Sequence, residues 1–430
     1  MQVGVSRTTI TPDRPTWMTG FASRTAPSAG VYHDIEAAAI VLDNGAEKLA
    51  ILAADLVGVD EFLLQPVREH AATLGIPPQS VLLNCSHTHC APACRVIRGS
   101  CRNFDDEYLA ALQGKLCRLL DDALADLQPG TLQYTSGFCT LGINRRKIGS
   151  DGSCTMRPNA EKPVDIDVPT LSVLTPRGDV RAIAFSYACH PTTMGGQLVG
   201  TDYPGPARDL VTEKLEGCIP IFWQGCGGDV KPRNLTGEGT FASGPVEMVY
   251  DIGRELGRAV LAGLCGQATE LDDRLGTAGA LVDLPTRDTP SEEELQTLEQ
   301  GNQWERMWAE AARRTIAEQG ALAGAIPVEV QVLCIGGLYI VGMGGEVSCE
   351  IGLEIKDRLN HLQVCTLGYS NLLRCYVASD RSHPEGGYEV RDSFLYSRTP
   401  EPRPLGLKPG AQKLLVDKTL ELILAMEAAR

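Results

Sequence analysis

The sequence predicts an α/β fold with a large mixed-sheet core and flanking helices, and three observations carry that expectation. Short apolar runs alternate with longer stretches in which apolar residues return at helical spacing. Polar clusters follow directly on several of the apolar runs, where a sheet of this class presents its binding edge. The chain has 430 residues, 43% of them apolar and 22% charged, which is enough for a core that encloses a cleft.

In chain order, Ala37 to Leu42 and Leu49 to Ala54 read as a hairpin joined through Asn44-Gly45. Phe62 to Leu74 and Tyr108 to Leu127 have helical periodicity, and Val81 to Cys85 lies between them as a buried strand. Leu171 to Leu174 and Ala182 to Tyr187 pair around the turn Pro176-Arg177-Gly178-Asp179. Pro206 to Leu215 is helical, Ile219 to Trp223 a strand, and Val246 to Leu264 a long helix. At Thr289-Pro290-Ser291-Glu292-Glu293-Glu294 the composition turns polar, and Ser291 with the acidic turn after it opens a helix. Residues 289–320 are therefore expected to form an inserted or peripheral helical arm within a single domain spanning 1–430, and a candidate lid or interface. Val328 to Ile335, Leu338 to Val341 and Gln363 to Leu367 return to strands, with a helix from Val347 to Leu359 and another from Ala411 to Glu427.

The formal charge of -15 disfavours nucleic acid and anionic membrane as partners, since either would repel the chain. No apolar run reaches the roughly 20 residues that span a bilayer, and the N-terminus has no basic-then-apolar leader. A cytoplasmic protein acting on a small molecule is the expectation, with self-association left open. The 15 cysteines form no CxxC pair and read as reduced thiols, although Cys85, Cys90, Cys94 and Cys101 offer an alternative, thiolate-rich metal set.

Only seven histidines occur, yet two stand at His87-Thr88-His89 just past a buried strand and a third at His190 past another. A strand's two-residue period would turn the rings of His87 and His89 to one side. Imidazole is the commonest transition-metal ligand, and Gly344-Gly345-Glu346 adds a carboxylate after a third strand, so a His-His-Glu zinc site with an open position is expected. Gly225-Cys226-Gly227-Gly228-Asp229 lacks the P-loop ending and reads as a tight turn, and Asp202 is a candidate to orient a ligand histidine.

Taken together, the chain resembles the neutral and alkaline ceramidases. The similarity runs in order through Thr9-Ile10-Thr11-Pro12, Met18-Thr19-Gly20-Phe21-Ala22, His87-Thr88-His89 with Ala91-Pro92, Ile143-Asn144-Arg145, and Val168-Pro169-Thr170-Leu171. It continues through Cys189-His190-Pro191-Thr192-Thr193-Met194, Cys226-Gly227-Gly228-Asp229-Val230-Lys231-Pro232, Gly345-Glu346, Tyr376-Val377-Ala378 and Tyr388-Glu389. The resemblance implies one zinc held by His87, His190, Glu346 and Tyr376. It also implies that His89 sits at the reacting carbonyl, and that Arg145 and Tyr388 line the site.

Where those ceramidases carry a serine, this chain has Lys231, followed by Arg233, which closes a serine-dependent route and suits a polar or anionic substrate. A C-terminal immunoglobulin-like domain is not expected at this length. His383 is a further substrate-contact candidate, and Arg145 could clamp an anionic group. The expected function is hydrolysis of an amide or other acyl bond of a small polar or anionic molecule, with hydroxide supplied at the zinc. A metal-dependent lyase or isomerase acting on a sugar acid or keto acid, and a non-catalytic binding homologue, are the alternatives.

Overall fold

The computed structural model describes residues 1–94, 104–396 and 402–429, so Cys101 lies outside the described residues. Strands that are apolar on both faces need cover on both faces, and three sheets provide it for one another. In the first sheet, the hairpin Glu36–Asp43 and Lys48–Ala54 pairs antiparallel to Gln2–Thr9 on one side and parallel to Val81–Cys85 on the other. The second orders Ile219–Gln224, Val180–Tyr187, Asp167–Leu174 and Thr131–Phe138, closed by the short strand Thr269–Leu271. A third orders Leu275–Pro285, Ala325–Ile335, Leu338–Met343 and Gln363–Leu367.

Side chains from all three sheets meet in one central core, including Ile51 and Leu82, Leu171 and Trp223, and Leu333 and Leu367. Each buried Leu or Ile there contributes about 2 kcal/mol by leaving water, which fixes the sheets relative to one another. Helices cover the outer faces: Glu61–Thr73 and Asp106–Ala125 on the first sheet, Pro204–Lys214 and Val246–Leu264 on the second, Cys349–Arg358 and Ala411–Ala428 on the third. Among the described residues, no helix is long and apolar enough to cross a membrane.

One buried side chain brings the strand ends together. Asn84 donates to the carbonyls of Gln224 (3.3 Å) and Gly368 (2.8 Å) and accepts from the Gln224 N–H (2.7 Å), so it joins all three sheets where their strands stop.

Among the described residues, five strands of six or more residues were not expected from the sequence: Gln2–Thr9, Thr131–Phe138, Gly142–Ile148, Cys154–Asn159 and Leu275–Pro285. Each mixes polar residues or glycine into its run, so the strand state comes from the neighbour it pairs with rather than from local pattern. The segment expected to be an inserted or peripheral arm is two capped helices, Glu292–Glu299 and Gln303–Gln319, with capping boxes at Ser291 and Asn302. Trp308 is fully buried, packs in a cluster with Leu395, and donates its indole N–H to the Arg403 carbonyl at 3.1 Å.

Candidate metal centre and substrate cavity

The strand Val81–Cys85 stops before the histidines, so the two-residue period does not place their rings. A left-handed turn at His87 (φ 64°) does so instead, a conformation that a residue with a side chain adopts only where packing requires it. The His87 Nδ1 donates to the Val57 carbonyl at 2.6 Å, which leaves its Nε2 lone pair facing inward, 3.2 Å from the Nε2 of His89. Gly20 runs against the His89 ring with φ 99°, and a Cβ there would lie 2.6 Å from the His89 Cγ, so only glycine lets the Thr19–Phe21 segment close over this ring.

On the second sheet, His190 follows the strand Val180–Tyr187 and donates Nδ1–H to the Gly227 carbonyl at 2.6 Å. Its Nε2 lies 3.1 Å from Glu346 Oε2 and 3.2 Å from the Tyr376 hydroxyl. Glu346 and Tyr376 face each other across a two-residue parallel pairing, and His87 Nε2 is also 3.1 Å from Glu346 Oε2. The glycine turn makes this approach possible, because a Cβ at Gly228 would meet the Glu346 carbonyl oxygen at 2.6 Å. Asp202 does not orient a histidine. Its carboxylate accepts backbone N–H groups of Thr193 (2.9 Å), Met194 (3.1 Å) and Tyr203 (2.8 Å), and so shapes the loop after His190.

The donor set fits a cation. With both Nδ1 protons given to carbonyls, the Nε2 atoms of His87 and His190 turn lone pairs toward the same carboxylate oxygen, an arrangement that repels unless positive charge lies between them. Burial, then the Arg145 guanidinium, push His190 down to about 3, and burial with His87 pushes His89 well below its ordinary value, so both rings stay neutral as ligands must. The nitrogens of His87, His89 and His190 all lie within 4.8 Å of one another, so this buried group could hold a metal ion, with Glu346 and Tyr376 at its edge. None of Cys85, Cys90 and Cys94 joins it.

Above this floor opens a cavity of about 450 Å³, and His87, His89, Arg145, Lys231, Glu346, Tyr376 and Tyr388 border it. Arg145 has an internal partner rather than a free fork. Its Nε donates to Glu389 at 2.7 Å and its Nη2 to the Tyr376 hydroxyl at 3.2 Å. Two expected substrate contacts do not border the cavity. The strand carrying Lys231 ends at Pro232, so Arg233 is exposed beside the Gly142 carbonyl (3.5 Å). His383 is tied into the turn Asp380–Glu385, both ring nitrogens buried without a hydrogen-bond partner.

Residues that the sequence reading did not place in the site complete the walls: Phe21, Met156, Trp304 and Tyr396. Phe21 meets the His89 ring edge to face at 4.8 Å, and Trp304 from the helix Gln303–Gln319 packs on Tyr396 at 5.1 Å. Phe21 lay within a motif already singled out. Nothing local marks Trp304.

No family model matches the chain. It is 25% identical over 270 residues to the neutral ceramidase of Pseudomonas aeruginosa, a match covering 59% of this chain and 40% of that protein. To the neutral ceramidase of Mycobacterium tuberculosis it is 23% identical over 473 residues, covering 89% of this chain and 71% of that protein. The chain thus spans well under half of the first relative's length. Among solved structures, neutral ceramidase from P. aeruginosa superposes with a TM-score of 0.78 at 19% identity, over 100% of this chain and 74% of that one. A ceramidase complexed with C2 gives the same TM-score at 18% identity, over 100% and 75%. The chain thus has the fold of the neutral ceramidases over its whole length and resembles them, at low identity, in sequence.

Proposed function

We propose that the protein is a metal-dependent hydrolase that cleaves an amide or related acyl bond of a small polar or anionic molecule. The observation that carries this reading is the convergence of the His87, His89 and His190 nitrogens with Glu346 at the floor of one cavity. A volume of about 450 Å³ suits a small molecule. The ceramidase names of the relatives support the amide bond, and Lys231 in the wall supports a polar substrate over a lipid.

Zinc held by His87, His190, Glu346 and Tyr376 would act there as a Lewis acid and lower the pKa of bound water toward about 7. The residues of the chain supply the rest. His89, neutral and bordering the cavity, takes a proton at an imidazole nitrogen as water attacks and returns it to the leaving group. Burial pushes the Tyr388 phenol up, so it stays protonated and donates to the developing oxyanion. Arg145, neutralised by Glu389, holds the Tyr376 oxygen in place and so acts on the site by positioning.

Incubating zinc-loaded protein with a panel of N-acyl amino acids, esters and lactones tests the reading, and metal-dependent release of the acid is expected. Turnover confined to sugar acids or keto acids, without hydrolysis, would replace it with a lyase or isomerase. Failure to retain any metal would replace it with a binding protein.

A further inference from the structure

Behind Phe21 and Thr192 the cavity continues into a second chamber of about 380 Å³, which shares Phe21, Ser23, Thr192 and Lys231 with the first. Two cations line it and no carboxylate does, in a chain where 54 acidic residues outnumber 39 basic ones. That is the reverse of what chance would place there.

Among the described residues, neither cation has a carboxylate within salt-bridge distance, although the Asp202 carboxylate acts on Lys231 from further away. Lys231 forms no salt bridge among the described residues, and its ammonium lies 5.2 Å from the centre of the Phe241 ring. Arg24 donates Nε–H to the Gly196 carbonyl at 2.8 Å and Nη1–H to the Thr19 carbonyl, while its Nη2 is buried with no acceptor. Burial keeps the neighbouring Cys90 thiol neutral, its pKa pushed up to about 12, so it is no counter-ion. The Thr192 hydroxyl, between the chambers, is also buried without a partner. Burying a guanidinium donor and half-burying an ammonium with no anion in contact is unfavourable, and the fold keeps both.

We propose that this chamber is an anion subsite, in which Arg24 Nη2 and Lys231 Nζ grip a carboxylate or phosphate group of the substrate while its scissile bond lies over the histidines. Arg24 presents a directional N–H and Lys231 a mobile point charge, a pairing that takes either oxyanion. Thr192 contributes a hydroxyl at the threshold between the two ends of the molecule. The inference rests on the proposed hydrolase only for the link to catalysis. Anion binding stands or falls separately.

The test is calorimetric titration of the full chain, kept with a chelator so that no anion can bind through a metal. Glutarate, inorganic phosphate and the uncharged glutaramide are the probes. The expected result is binding of glutarate or phosphate but not of glutaramide, weakened at least tenfold in Arg24→Gln and in Lys231→Met and lost in the double variant. Whichever oxyanion binds more tightly identifies the group carried by the substrate. Because Lys231→Met removes a half-buried charge that no carboxylate pairs directly, its unfolding midpoint should match or exceed that of the unmodified chain, which separates lost binding from misfolding. Equal anion binding by the double variant, or none by the folded unmodified chain, would overturn the subsite. A chain that binds anions at this site but hydrolyses nothing when zinc-loaded would leave the subsite standing and remove the hydrolase.

Discussion

At the floor of the cavity two imidazoles are held from behind by backbone carbonyls, Val57 for His87 and Gly227 for His190, so neither ring can turn without losing a buried hydrogen bond. On the walls, Phe21, Trp304 and Tyr396 are held by ring contacts, which survive rotation and tolerate replacement. The floor is built from strand ends tied together by Asn84, whereas the walls come from a loop near residue 20, a helix near 304 and a turn near 396. Chemistry is thus assigned to the rigid part and substrate choice to the replaceable part. Variants that separate the two roles test that division.

Removing a floor residue should have the largest effect. His87→Ala and Glu346→Ala are each expected to drop metal content from about one per chain to near zero. The accompanying loss of kcat/KM should be on the order of a thousandfold, roughly 4 kcal/mol of transition-state stabilisation. Elemental analysis of purified variants checks the first figure. Full metal occupancy in both would mean that the convergence at Glu346 is not a metal site.

Next in size is a residue that joins floor to wall. Glu389 is buried and neutralises Arg145 at 2.7 Å and Arg146 at 2.5 Å, so Glu389→Gln leaves two buried guanidinium groups short of charge. Breaking a buried pair costs about 3–5 kcal/mol, and the lower end is expected here because Glu385 still holds Arg146 at 3.0 Å. A denaturation midpoint measures that loss. Activity should fall roughly a hundredfold, as Tyr376 loses the arginine that fixes its oxygen. A variant of undiminished stability would show that Arg145 does not depend on this carboxylate.

The same floor and wall divide what the sequence disclosed. His87, His190 and Glu346 each follow a run of apolar residues, and a strand end is readable from local pattern, so their neighbourhood could be anticipated. How the rings turn could not be read, because it depends on a positive φ at His87 and on carbonyls from distant loops. Glu389 stood in a motif already singled out, yet its partner Arg145 is 244 positions away and the pairing exists only in three dimensions. Trp304 carries no local signal at all, since capping boxes and charge describe the helix but not where it docks. The hairpin at Asn44-Gly45 and the paired strands around 176–179 were legible for the opposite reason, being closed by their own turns.

A wall variant should change binding more than chemistry. Trp304→Ala is expected to raise KM about tenfold, near 1.4 kcal/mol, with kcat within about threefold and metal content unchanged. The contrast with His87→Ala is the point of the measurement. Should Trp304→Ala instead lose metal, the helix that carries it supports the floor and the division fails.

The smallest effect concerns Lys231 and separates binding from stability by sign. Burial, then the Arg145 charge, lower this ammonium from its ordinary value near 10.5 to about 8. Between those values the unfolded chain holds a proton that the folded chain has released, so Lys231 makes the fold more stable as pH rises through that window. An anionic substrate has the opposite preference, because it needs the ammonium, and its KM should climb a few-fold between about pH 7 and 9. Lys231→Arg keeps its charge throughout and should flatten that climb, while Lys231→Met should show a high, pH-independent KM. If KM for an anionic substrate stays level across this range in the unmodified chain, the lysine does not contact the substrate's charge.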